Sequence, residues 1–180
     1  KDHIARFGFQ GEKADRIAQA MMLGPIWPKL DLGLESDEDI LEQFVAHTPE
    51  LEQEIRLVFS DLSTIVREYE GSVDWIESLK ARGYHTYYLS NYGERIRREA
   101  SKELSFLSHM DGGIMSYTVH LAKPDPAIYQ TLLDRYGLKA EECVFLDDTV
   151  RNVEAAQALG IAGIVVTSQE QAKKELETLL

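Results

Sequence analysis

From about residue 72 onward the chain alternates segments of helical spacing with short apolar runs, and this alternation restricts the possible fold more than any other feature. Val73, Ile76 and Leu79 mark a helix closed by Gly83, and the run Tyr84 to Leu89 follows as a strand. The polar stretch Ser90-Asn91-Tyr92-Gly93 opens a helix to about Leu104, and a short strand is expected near Ile114 to Tyr117. Asp125 can cap a helix that has Pro126 at its first position and Gly137 beyond its end. Cys143 to Leu146 reads as the next strand, Val153 to Leu159 as its helix, Ile161 to Val166 as another strand, and Ser168 as the cap of a final helix. Strands spaced in this way, with helices between them, predict an α/β fold: a parallel sheet covered on both faces in three layers.

Residues 1–70 carry no strand-like alternation and predict a small helical domain, leaving 71–180 as the α/β core. Ile17, Met21 and Met22 keep helical spacing up to Gly24-Pro25. Ser36 with Asp39 resembles a capping box ahead of Ile40, Leu41, Phe44 and Val45, and a further helix is expected over Leu51 to Arg67. With 180 residues and 44% hydrophobic content the chain can pack a core. Its formal charge of −12, from 31 acidic and 19 basic residues, argues against a nucleic-acid partner. No window approaches the roughly 20 apolar residues that cross a bilayer, so no membrane partner is expected. The single Cys143, set in an apolar run, predicts a buried and inert thiol, which suits a reducing cytoplasmic location.

In parallel sheets of this kind the site lies beyond the carboxyl ends of the strands. Three polar groups fall there: Ser90-Asn91, Lys123 and Asp147-Asp148. A single aspartate is enough to cap a helix, whereas two adjacent carboxylates repel each other unless a divalent cation or a shared proton relieves them. Mg2+ commonly bridges such carboxylates to a phosphate. The Ser90 hydroxyl and the Asn91 amide can donate to a phosphoryl oxygen, and Lys123 can neutralise charge on a transferred group. Separately, each has a plainer reading: an N-cap, a surface lysine, a capping aspartate.

Taken together, the motifs resemble those of the haloacid dehalogenase-like (HAD) hydrolase superfamily. Tyr87-Tyr88-Leu89-Ser90-Asn91 matches its second motif, Lys123-Pro-Asp-Pro-Ala-Ile-Tyr129 its third and Val144-Phe-Leu-Asp147-Asp148-Thr-Val-Arg-Asn152 its fourth. The resemblance implies that Ser90 binds the phosphoryl group, that Lys123 stabilises nucleophile and phosphate, and that Asp148 ligates Mg2+, with Asp147 and Asn152 supporting the acidic loop. It also implies a Rossmann-like core with a helical cap, and a small phosphorylated substrate of the sugar phosphate type. Phe9, Trp27 and Tyr92 are candidates to face substrate, with packing of the helical domain as the alternative.

The family's first motif, a strand ending in a nucleophilic aspartate, has no match. Leu30-Asp31-Leu32-Gly33 is the nearest, but Pro28 and Lys29 interrupt any preceding strand, so Asp31 is rejected as nucleophile. Since that strand is central in the family, its loss would strand backbone groups in the core. The expectation is therefore a nucleophile strand upstream of Lys1. The alternatives are a 2-haloacid dehalogenase-type hydrolase, which the acidic pair disfavours because that chemistry needs no metal, and a catalytically silent binding domain.

Overall fold

The structure, a computed structural model, describes residues 2–180. The amino-terminal part is helical: α1 (Asp2–Ala5), α2 (Gly11–Ala20), α3 (Trp27–Leu32), α4 (Asp37–His47) and α5 (Glu52–Phe59), and no strand occurs before residue 87 among the described residues. Then follow α6 (Ser72–Ala81), β1 (Tyr87–Ser90), α7 (Glu94–Glu99), β2 (Gly112–Met115), α8 (Pro126–Tyr136), β3 (Val144–Asp147), α9 (Val150–Ala158), β4 (Ala162–Val165) and α10 (Gln169–Leu176). Both strand ladders are parallel, β1 with β2 and β3 with β4, as helix-linked strands require. No helix among the described residues is long and apolar enough to cross a membrane.

The chain divides into two compact units, Lys1–His120 and Leu121–Leu180. This boundary lies beyond the first strand pair, although the change from helical to alternating elements comes near residue 70. Packing explains the difference. Tyr92, Ile96, Ala100, Leu104 and Met115 are buried in one cluster with Ile4, Ile17, Ile40, Phe44, Ile55 and Phe59 of the helical part. Phe44 is central to it, with Trp27 and Phe59 at ring distances of 6.1 and 5.9 Å. The Arg95 guanidinium lies 4.4 Å above the Phe59 ring while pairing with Glu99 at 2.6 Å.

Several segments are shorter than their sequence patterns suggest. The β1 strand begins at Tyr87, not Tyr84, and β2 ends at Met115, because residues 116–118 turn as a 3-10 helix. The helix after β1 is the six-residue α7 and does not reach Leu104. Nor does α5 extend to Arg67: the Ser60 hydroxyl donates to the Leu57 carbonyl, and Asp61 accepts from the Ser63 amide, so side chains take over the backbone groups that would continue the helix. The cap signals fare better. Asp125 accepts from the Ala127 amide with Pro126 first in α8 and Gly137 left-handed at its end, and Ser168 with Gln171 forms a complete capping box. Ser36 caps α4 through the Asp39 amide, but the Asp39 carboxylate accepts from the Ser36 hydroxyl and not from its amide. Gly113 opposes Tyr88 in the β1–β2 ladder, where a Cβ would come within 2.2 Å of the Tyr88 carbonyl oxygen, so only glycine fits.

Candidate functional site

In the Leu121–Leu180 unit the βαβ arrangement of β3, α9 and β4 sets an acidic loop at the carboxyl end of β3. Asp147 ends the strand, in register with Val165. One of its carboxylate oxygens, Oδ2, accepts from Lys123 Nζ at 2.5 Å. The other accepts from the Thr149 amide at 2.8 Å and from Asn152 Nδ2 at 3.0 Å. The Lys123 and Asp147 side chains are nearly buried, 9% and 7% exposed, so the carboxylate is a desolvated counter-charge held in fixed geometry. Asp148, by contrast, is exposed, and its Oδ1 accepts a 3.2 Å hydrogen bond from the Thr149 hydroxyl. The two adjacent carboxylates therefore differ in setting: one is bonded within the loop and the other faces outward.

A buried scaffold holds this loop. The Tyr129 hydroxyl, at the end of the Lys123-Pro-Asp-Pro-Ala-Ile-Tyr motif, donates to the Asn152 carbonyl at 2.8 Å. Burial pushes the Tyr129 phenol up to about 12, with the Asp147 carboxylate adding to the effect, so it remains a protonated donor. Its ring packs edge-on against Phe145 at 5.4 Å, and Lys123 Nζ lies 5.4 Å from the centre of that same ring. The Lys123–Pro124 peptide is cis. Sequence reasoning missed both Thr149 and Tyr129, although each lies within a quoted motif. Cys143 is half-buried and not fully buried as expected, because it stands just outside β3. Its thiol donates to the Lys139 carbonyl, and burial with neighbouring Glu142 and Glu141 pushes its pKa up.

The remaining site residues lie in the Lys1–His120 unit. Ser90 ends β1 in register with Met115, and Asn91 follows it. A fully buried Ser116 fixes the turn beyond: its Oγ accepts from the Tyr92 amide at 2.8 Å and its hydroxyl donates to the Asp31 carbonyl at 2.5 Å. Asp31 lies within α3 and ends no strand, so its rejection as a nucleophile agrees with its backbone setting. Phe9 and Trp27 pack against the core of this unit, and Tyr92 belongs to it.

The structure thus brings together Lys123, Asp147, Asp148 and Asn152, and places Ser90 and Asn91 at the corresponding end of β1. The family described as haloacid dehalogenase-like hydrolase matches residues 11–160. The chain belongs to this family. It is 32% identical to mouse acyl-CoA dehydrogenase family member 10 over 162 residues, 87% of this chain, but spans only 15% of that protein. It is 30% identical to the phosphorylated carbohydrates phosphatase of Thermotoga maritima, covering 78% of this chain and 63% of the relative. A HAD family enzyme from Bacteroides thetaiotaomicron, crystallised with magnesium and inorganic phosphate, superposes with a TM-score of 0.68 at 21% identity, covering 93% of this chain and 85% of that one. These likenesses establish a HAD-type α/β fold and a hydrolase family.

Proposed function

We propose that the complete protein is a magnesium-dependent phosphatase acting on a small phosphate monoester. The observation that carries this reading is the division of labour at the end of β3, where Asp147 is saturated by Lys123, Thr149 and Asn152 while Asp148 stays exposed. Among the described residues no group of three or more His, Cys, Asp or Glu side chains is placed to hold a metal ion. The Asp147–Asp148 pair would still suit Mg2+, which is commonly held by one or two carboxylates while keeping several waters. Asp148 would hold the ion, with Asp147 beside it, and the bound ion would supply charge neutralisation for the phosphoryl group.

The protein groups have distinct tasks. The Ser90 hydroxyl and the Asn91 amide donate to phosphoryl oxygens. Lys123 keeps a fixed positive charge near the transferred group, held by Asp147 and packed over Phe145. Asn152 and Tyr129 hold the acidic loop in position. Asp147 and Asp148 are committed to these roles and Asp31 lies in a helix, so none of the three is proposed to attack phosphorus. In this reading residues 1–70 are a helical cap domain, and substrate is a soluble metabolite met in the cytoplasm. The name of the Thermotoga relative makes sugar phosphates the first class to assay.

The test is a magnesium titration of phosphate release by the complete protein and by its Asp148→Ala variant. We expect the variant to lose about 100-fold or more of its activity, on the scale of removing one electrostatic stabiliser, and chelation to silence the parent. Magnesium-dependent activity retained in Asp148→Ala overturns the reading.

A further inference from the structure

The stretch Leu30-Asp31-Leu32-Gly33, which ends no strand, forms the carboxyl end of α3. The last carbonyls of a helix have no partner within it and must find one elsewhere. Here the Leu30 carbonyl accepts from the Gly33 amide at 3.2 Å, where the backbone turns left-handed with φ 64°. The Asp31 carbonyl accepts from the Ser116 hydroxyl at 2.5 Å, and the Leu32 carbonyl from His120 Nδ1 at 2.8 Å. A carbonyl only accepts, so Nδ1 of His120 carries a hydrogen.

Two close approaches reinforce these bonds. A Cβ on Gly33 would come within 2.8 Å of the Tyr117 Cβ, and one on Gly93 within 3.0 Å of Leu30 Cγ. Consecutive residues of the helical part therefore lie against two turns, residues 92–93 after β1 and 116–120 after β2.

Ser116 joins the two turns to each other. It is fully buried, and its Oγ accepts from the Tyr92 amide at 2.8 Å while its own hydrogen goes to Asp31. That amide belongs to the peptide that follows Asn91, so the bond fixes the direction of the turn opened by Ser90-Asn91. His120 is exposed, and among the described residues it is the one non-glycine with a left-handed backbone, φ 56°. A backbone of this kind persists where its surroundings hold it, and the bond to Leu32 is such a hold.

We propose that Ser116 is a positioning residue for phosphoryl binding. Through the Tyr92 amide it sets the Ser90-Asn91 turn, and through the Asp31 carbonyl it makes that setting depend on how α3 is seated, with His120 as the outer clasp. The inference rests on the phosphatase reading and adds to it residues that touch no substrate. A hydroxyl suits the position because it accepts and donates at once. Without it a buried amide and a buried carbonyl must shift toward other partners, and the neighbouring donors shift with them. A displacement of about 1 Å in a positioning group can cost about 100-fold in rate.

The experiment uses the complete protein with magnesium and two probes: inorganic phosphate, followed by calorimetry, and para-nitrophenyl phosphate, followed by turnover. Circular dichroism sets an assay temperature at which each variant is folded. Ser116→Ala should weaken phosphate binding about tenfold and lower kcat/KM by a similar factor. His120→Gly, which suits the left-handed backbone but lacks the donor, should weaken phosphate about threefold. His120→Asn, which tolerates that backbone and keeps a donor, should restore the parent value. A merely structural Ser116 predicts instead a lower melting temperature with phosphate affinity unchanged, and that result overturns the inference while sparing the phosphatase reading. Should Ser116→Ala fail to fold, the His120 comparison decides, and equal phosphate affinity in His120→Gly and His120→Asn overturns the inference. A parent protein that neither binds phosphate nor releases it from the ester counts against the phosphatase reading itself.

Discussion

At the scale of single residues, the adjacent pair Asp147 and Asp148 shows how a motif conceals unequal parts. Asp147 meets a lysine, an amide and a carboxamide, and its neighbour stays exposed, so replacing the two should have different consequences. Asp147→Asn weakens the ion pair with Lys123 and disturbs the loop, and we expect both thermal stability and activity to fall; Asp148→Asn should lower activity with little change in melting temperature. Scanning calorimetry beside phosphate release separates the two. His3 supplies a pH test. Burial holds its imidazole below the ordinary value of 6.5, an effect opposed by the Val58 carbonyl, while Arg6 and Asp61 act in opposite directions. Because the unfolded chain binds the proton more readily, the stability from neutral His3 is present above that ordinary value and is lost as pH falls below it. The melting temperature should therefore drop between about pH 7.5 and about pH 5.5, and His3→Gln should flatten that drop. An unchanged slope in the variant would assign the drop to other groups.

At the scale of elements, the β1–β2 ladder owes its start to Asp111. Its amide donates to the Thr86 carbonyl, and its carboxylate accepts from the Thr86 amide, each at 2.8 Å, with Lys80 and His85 3.6 Å away. The Thr86 amide, helped by Lys80 and His85, holds the Asp111 carboxyl below its ordinary value. A depressed carboxyl contributes stability above that value and loses it in acid. Asp111→Ala should cost about 1–2 kcal/mol in denaturant unfolding, and Asp111→Asn, which keeps an acceptor, should cost less. Helix ends near Asp125 and Ser168 were legible because each cap is written within four residues. The lengths of α5 and β2 were not, because apolar spacing continues past the point where Ser60, Asp61 or Ser116 diverts the backbone. The roles of Thr149 and Tyr129 were equally hidden, since the first acts through its amide and the second through a carbonyl 23 positions away.

At the scale of the whole molecule, a charge of −12 opposes the approach of a dianionic ester. Raising ionic strength from about 0.01 M to about 0.15 M shortens the screening length from about 30 Å to about 8 Å. For the complete protein kcat/KM should then rise a few-fold, and a decrease would point to a locally positive approach path instead. What the sequence by itself determined is the alternation of helices and parallel strands, the helical start of the chain and the three strand-end motifs. All of these are written in residues close together along the chain, through apolar periodicity, caps and turn residues. Only the tertiary structure decided which carboxylate is engaged, and that Ser116 joins the turn after β1 to a carbonyl 85 positions away. Those properties depend on which side chains meet after distant segments pack, and desolvation and hydrogen-bond geometry arise only from that meeting.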